Sequence, residues 1–257
     1  MSIVHALILS LIEGLTEFLP ISSTGHMILV GKLLGIPQTE FLKSFEISIQ
    51  LGAILAVLVL YAKTLLQRIS LWPKILAAFI PTAILGFIFY KIVKQYLLGN
   101  SMVTVLALGI GGVCFLFLEK MMREKTFTAK TLDEISYKQS IIIGLSQSVS
   151  MIPGVSRSAA SIFGAMAGGV NRQTAVEFSF LLAIPTMVAA TGLDLVKSGF
   201  SFSSNDYQLL GIGFIGAFIT ALVAVKAFLQ FIKSNTFIPF AWYRIVLAIL
   251  FFIFVIR

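Results

Sequence analysis

Six stretches of this chain, residues 43–62, 74–93, 101–118, 175–196, 207–231 and 237–256, are apolar and long enough to cross a hydrocarbon layer of about 30 Å. No other feature narrows the fold as far. Inside lipid every backbone N–H and C=O must be paired within its own segment, so each stretch is read as a helix. A mean hydropathy of +0.99 agrees with this. Only 12% of the residues are charged, too few to coat a soluble domain of this size. The expected class is an all-α integral membrane protein, a single membrane domain over residues 1–257, with no stretch long enough for a second domain. The net charge of +8 then does not call for nucleic acid, because Lys and Arg gather in cytoplasmic loops and beside anionic lipid. Cys114 lies alone in an apolar run, which leaves no disulfide and no cysteine-based metal site. The N-terminus lacks a basic region and a small-residue cleavage site, so no removable signal peptide is expected.

Against this background the stretch Glu13 to His26, EGLTEFLPISSTGH, concentrates polar chemistry. Glu13 and Glu17 are four apart and share a helix face. Pro20 ends or sharply bends that helix. Ser22, Ser23 and Thr24 are cap-type residues for a new helix from about Gly25 to Leu34. That second arm is only about ten residues long, too short to cross at 1.5 Å per residue. Residues 1–35 are therefore read as a re-entrant hairpin.

The pattern returns in residues 141–169, IIIGLSQSVSMIPGVSRSAASIFGAMAGG. With Pro20 set on Pro153, Ser23 falls on Ser156 and Thr24 on Arg157. Further on, Phe45-Glu46-Ile47-Ser48 matches Val176-Glu177-Phe178-Ser179. The chain reads as two repeats, about 1–125 and 135–257, each with one hairpin and three spans. Three is odd, so the second repeat is inverted: six transmembrane helices plus two re-entrant hairpins in an inverted-topology repeat. One face of this plan receives eleven Lys and Arg (Lys63, Arg68, Lys74, Lys120, Arg123, Lys125, Lys130, Lys138, Arg172, Lys226, Lys233). The other receives six (Lys32, Lys43, Lys91, Lys94, Lys197, Arg257). The more basic face is placed in the cytoplasm, so both termini and the mouth of the first hairpin face outward.

Several of these residues can carry chemistry. A helix start gathers free N–H groups and favours an anion. Arg157, deep in apolar sequence, needs an anionic partner, and its fork suits phosphate or carboxylate. It either clamps a phosphate or pairs with Glu13 or Glu17 across the hairpins. Glu46 and Glu177 are repeat-related and read as structural, capping hairpin N–H groups or pairing with each other. Arg244 is a structural partner or snorkels to the interface. Gln50, Ser146, Gln147 and Ser150 are weaker polar signals at the same seam. Together the parts suit phosphoryl transfer. The two helix starts and Arg157 hold phosphate oxygens, and Glu13 and Glu17 hold a divalent cation bridging a diphosphate. Ser23 or Ser22 offers a nucleophile, with His26 or a carboxylate as proton acceptor. A site of this kind inside a membrane implies a lipid-borne phosphate. The competing class is a transporter or flippase of a lipid phosphate, which shares inverted repeats and midplane charges but needs neither nucleophile nor carboxylate pair.

EGLTEFLPISSTGH and PGVSRS, with the duplication and the length, resemble the bacterial undecaprenyl-diphosphate phosphatases, also called bacitracin-resistance proteins. The resemblance covers essentially the whole chain. It implies hydrolysis of undecaprenyl diphosphate to undecaprenyl phosphate and inorganic phosphate, which recycles the lipid carrier for wall polymers. It also implies a multi-pass protein of the bacterial plasma membrane, a site opening outward, and a divalent cation, Mg2+ or Ca2+. The family's functional positions fall on Glu13, Glu17, Ser22, Ser23, His26, Ser156 and Arg157. Thr24, Ser158 and Ser161 are expected to line the substrate beside them. The family often reads Ser-Arg-Ser-Gly-Ala-Thr where this chain has Ser156-Arg157-Ser158-Ala159-Ala160-Ser161. Ser161 keeps a hydroxyl where Thr is usual, and Ala159 for Gly tightens the turn. The oligomeric state, including a homodimer, is left open.

Overall fold

A computed structural model of the chain describes residues 1–37, 39–97, 100–122, 126–198 and 203–256, without the side chains of Lys94, 193–198 and 255–256. Arg123, Lys125 and Arg257 of the loop-charge count lie outside the described residues, as do the side chains of Lys94 and Lys197. The described chain is helical, with no strand and one isolated bridge between Ala129 and Val170. Ten α-helices follow in order: α1 Ile3–Thr16, α2 Ser23–Leu33, α3 Glu40–Gln67, α4 Leu71–Ile92, α5 Ser101–Met122, α6 Tyr137–Ser148, α7 Arg157–Ala167, α8 Arg172–Ser198, α9 Ser204–Ile232 and α10 Ile238–Phe251.

Five helices, α3, α4, α5, α8 and α9, are long and apolar enough to cross a membrane. The sixth expected stretch, 237–256, is helical as well: α10 continues into a π-helix over Phe252–Ile256, a shorter apolar unit than the other five. Glu119, just past the expected stretch 101–118, belongs to the last turn of α5. It is buried and accepts from Arg172 Nη2, from Arg172 Nε at 3.0 Å and from the N–H of Phe237 at 2.8 Å. A buried carboxylate with these three donors ties the end of α5 to the starts of α8 and α10.

Contacts between loops sort the helix ends. Arg68 donates to Asp133 at 2.9 Å and Lys74 to the Asp133 carbonyl at 2.6 Å. Gln139 in the first turn of α6 donates to the carbonyl of Gly168 at 3.0 Å, just past α7. The mouth of the α6–α7 hairpin therefore shares an end with the α3–α4 loop and the Glu119 cluster. At the opposite end Lys32 of α2 donates to Ser101 at the start of α5, at 3.1 Å. Ala6, Leu9, Leu42, Phe45 and Leu209 form one buried cluster there. The α1–α2 hairpin opens toward that end. The two hairpins enter from opposite ends and meet tip to tip.

Helices pack in matched pairs: α1 on α9 and α6 on α4, with α3 against α8 and α5 against α10. Gly14 and Gly144 lie where α1 meets α9 and α6 meets α4, and a Cβ at either would run into the facing helix. Small residues of this kind let helices approach closely where lipid gives no hydrophobic drive between them. The largest core cluster includes Phe18 at the first hairpin tip, which meets Phe180 of α8 edge-on at 5.4 Å.

Candidate active site

The site lies where the two tips meet. After Glu17 the chain leaves α1, turns through Pro20 and re-enters a helix at Ser23. Ser22 caps α2, its hydroxyl accepting the Gly25 N–H at 3.3 Å. Ser156 caps α7 in the same way from Ala159, at 3.2 Å. Among the described residues these two serines are the non-glycine positions with positive φ, 69° and 76°. Backbone held in that sparsely populated region by its surroundings is a common mark of a working site.

The shared cap geometry aligns the two tips one residue away from the expected match. Ser156 matches Ser22, not Ser23, because the second tip holds one residue more. Gly154, at φ 93°, takes up the insertion in a conformation that L side chains rarely adopt. Ser23 thus corresponds to Arg157, and Thr24 to Ser158.

Those two counterparts converge on one carboxylate. The Ser23 hydroxyl donates to Glu17 Oε2 at 2.5 Å, while Arg157 Nε and Nη2 reach Glu17 Oε1 at 3.4 Å. Arg157 also donates to the Ser179 carbonyl at 3.1 Å and lies 5.8 Å from the centre of the Phe18 ring. Glu17 and Arg157 are 8% and 10% exposed at their side chains, so the pair is largely out of solvent. The pairing of Arg157 with Glu17 across the hairpins is therefore present. It is loose, since both of its bonds stand at the outer limit of a hydrogen bond.

Glu13 is 2% exposed, and its Oε1 has no hydrogen-bond partner among the described residues. Its carboxyl group faces that of Glu17 closely enough to interact directly, and it also feels the charges of Glu46 and Arg157. Two adjacent carboxyl groups, one with an orphaned buried oxygen, fit a hard divalent cation whose remaining ligands are phosphate and water oxygens. Among the described residues no third acidic, histidine or cysteine side chain completes an all-protein cage.

His26 does not touch either serine hydroxyl. Its Nδ1 is 2.8 Å from the Ser22 carbonyl and its Nε2 is 2.6 Å from the Tyr243 hydroxyl. Ser158 and Ser161 are fully buried. Ser158 donates to the Phe18 carbonyl at 3.0 Å, and Ser161 lies 2.6 Å from the Ser179 hydroxyl. Both lock the second tip in place and sit beneath the reactive groups. Thr24 is exposed on the open side of α2. Glu46 and Glu177 cap neither hairpin, since Ser22 and Ser156 do so. Glu177 accepts from Gln173 within α8 at 2.9 Å.

Arg244 is the residue that sequence reasoning most undervalued. It is fully buried, and all five of its N–H donors find backbone carbonyls: Leu108 at 3.3 Å, Ala107 at 3.2 Å, and Pro20, Val155 and Gly154 at 3.0 Å each. One side chain of α10 thereby joins α5 to both tips. Carbonyl partners leave no trace in a sequence, and the only hint was an Arg inside an apolar span.

The family profile described as bacitracin resistance protein BacA matches residues 6–250. A protein of Aquifex aeolicus named undecaprenyl-diphosphatase is 50% identical over 96% of each chain. Another of that name, from Wolinella succinogenes, is 50% identical over 98% of this chain and 97% of its own. A third, from a Sulfurihydrogenibium species, is 49% identical over 98% and 99%. The match takes in both hairpins, all five long helices and the Glu17, Ser23 and Arg157 cluster, and this chain belongs to the bacitracin resistance protein BacA family.

Proposed function

We propose that this protein hydrolyses undecaprenyl diphosphate to undecaprenyl phosphate and inorganic phosphate. The observation that carries the chemistry is the 2.5 Å hydrogen bond from Ser23 to Glu17. A hydroxyl already donating to a buried carboxylate is an activated nucleophile. Ser22 is the weaker candidate because its hydroxyl is engaged as a helix cap.

In this reading the terminal phosphate sits at the helix starts of α2 and α7. Backbone N–H groups and the Arg157 fork take its oxygens. Glu17 accepts the Ser23 proton as Oγ attacks the terminal phosphorus. The bond to the bridging oxygen breaks, and undecaprenyl phosphate departs with that proton. Water then attacks the phosphoserine. Glu17 takes a proton from the water and returns it to Ser23 as inorganic phosphate leaves. A Mg2+ or Ca2+ ion held by Glu13 and Glu17 supplies charge neutralisation on the diphosphate. Glu13 is the freer ligand of the two, since both Glu17 oxygens have protein partners.

The chain is a multi-pass membrane protein, and we read α10 with its π-helical extension as the sixth span beside two re-entrant hairpins. The matched packing of α1 on α9 and α6 on α4 supports two inverted repeats, about 1–125 and 135–257. The family resemblance supports the plasma membrane, and the loop charges support the first hairpin opening to the outer face. Phosphate release by the purified protein in detergent tests the function. Micelles offer nothing to flip across, so release identifies an enzyme, and its absence leaves the transporter class.

A further inference from the structure

We propose that Tyr243 is a positioning residue for the nucleophile, acting through His26. The inference rests on the hydrolase reading above for its effect on rate. A backbone carbonyl can only accept, so the 2.8 Å contact from Nδ1 to the Ser22 carbonyl puts the proton on Nδ1. In the neutral ring Nε2 is then the acceptor, and the Tyr243 hydroxyl at 2.6 Å donates to it. The two rings lie nearly parallel, 4° apart with centroids at 5.6 Å. A relay of orientation runs from Tyr243 through the imidazole to the Ser22 carbonyl.

That carbonyl belongs to the peptide joining Ser22 to Ser23. Ser22 holds a φ of 69°, and Ser23 places its hydroxyl 2.5 Å from Glu17. Turning this peptide would move Oγ off the carboxylate. The neighbouring Arg244 grips the same tip two residues earlier, at the Pro20 carbonyl. Helix α10 thus holds the tip on both sides of the strained residue, and each grip ends on a backbone oxygen. His26 and Tyr243 make no hydrogen bond to Ser23 or Glu17 among the described residues, so their influence is on geometry. Tyr243 is 44% exposed, so losing its hydroxyl leaves packing and folding intact.

Tyr243→Phe keeps the ring and removes only the donor. On purified protein with undecaprenyl diphosphate, kcat should fall about tenfold through misplacement of the nucleophile, with KM within about twofold. Tm should be unchanged. In a His26→Ala background the same substitution should change kcat by less than about twofold, because the link is already cut. The chain has only two histidines, so the imidazole nitrogens can be read by NMR on labelled protein, with His5→Ala for assignment. Wild type should show the Nδ1–H form of His26 with a hydrogen-bonded Nε2, and Tyr243→Phe the same form with the Nε2 resonance shifted by loss of the donor. A Tyr243→Phe protein with wild-type kcat, or with a raised KM alone, overturns the proposal. So does a full further loss in the His26→Ala background, or an unchanged imidazole spectrum. If wild type releases no phosphate, the hydrolase reading fails, while the spectrum still decides whether Tyr243 donates to His26.

Discussion

Replacing Arg157 by alanine and by lysine separates a phosphate clamp from a structural ion pair. The side chain is about nine-tenths buried and makes three hydrogen bonds, two to Glu17 at 3.4 Å and one to Ser179 at 3.1 Å. Arg244 sets the contrast, with five carbonyls at 3.0–3.3 Å. The slacker holding of Arg157 leaves N–H groups to turn onto an anion at the start of α7. Removing one donor that stabilises developing charge typically lowers kcat about 100–1,000-fold. Arg157→Ala also strands the Glu17 carboxylate. Breaking a buried pair costs about 3–5 kcal/mol, and the long contacts place this one near 3 kcal/mol. For a chain of this size that lowers Tm by roughly 6–12 °C. Arg157→Lys restores the charge beside Glu17 but not the fork. We expect most of the Tm to return, with activity still depressed about 30-fold or more. The assay is phosphate release and thermal unfolding on the same preparations, with activity read well below each Tm. Lysine activity within about threefold of wild type would refute the clamp. So would an alanine deficit that vanishes at temperatures where the variant is folded.

Chelation should abolish phosphate release, and Mg2+ or Ca2+ should restore it. Glu13→Gln should stay inactive with Tm nearly unchanged, and full turnover in chelator would remove the metal from the account. In a Cys114→Ser background, cysteine placed at the exposed Thr131 should resist an impermeant reagent added outside intact cells. Labelling there would reverse the assigned orientation. Glu119→Gln loosens the tie to Arg172 and Phe237. It should lower Tm by about 5 °C or more while kcat at low temperature stays within about twofold. An unchanged Tm would show that α10 is anchored elsewhere.

Much of the site could be read from residue order because its rules are local. The i, i+4 spacing of Glu13 and Glu17, the break at Pro20 and the cap role of serine before α2 all act within a few residues. The need of Arg157 for an anionic partner also follows from its apolar setting, and Glu17 is that partner. The match of Ser23 to Ser156 is off by one because one extra residue, Gly154, shifts the second tip without disturbing its composition. The spacing of His26 suggests a partner of the serine hydroxyls. Helical spacing does bring it to Ser22, but to the carbonyl and not the hydroxyl. Glu119 falls outside the stretch 101–118 because charge normally marks a helix end, and its partners at Arg172 and Phe237 lie far along the chain. Tyr243 and Arg244 act on atoms more than 200 positions away in the cases of His26 and Pro20. Backbone carbonyls are the same for every residue, so no pattern in the sequence could announce the bonds of Arg244.

The most direct measurement is rapid mixing of the purified protein with undecaprenyl diphosphate labelled in its terminal phosphate, followed by acid quench and peptide mapping. The account predicts label on Ser23 within a turnover, retained in Ser22→Ala and absent, together with phosphate release, in Ser23→Ala. Label on Ser22, or undiminished phosphate release by Ser23→Ala, would contradict it.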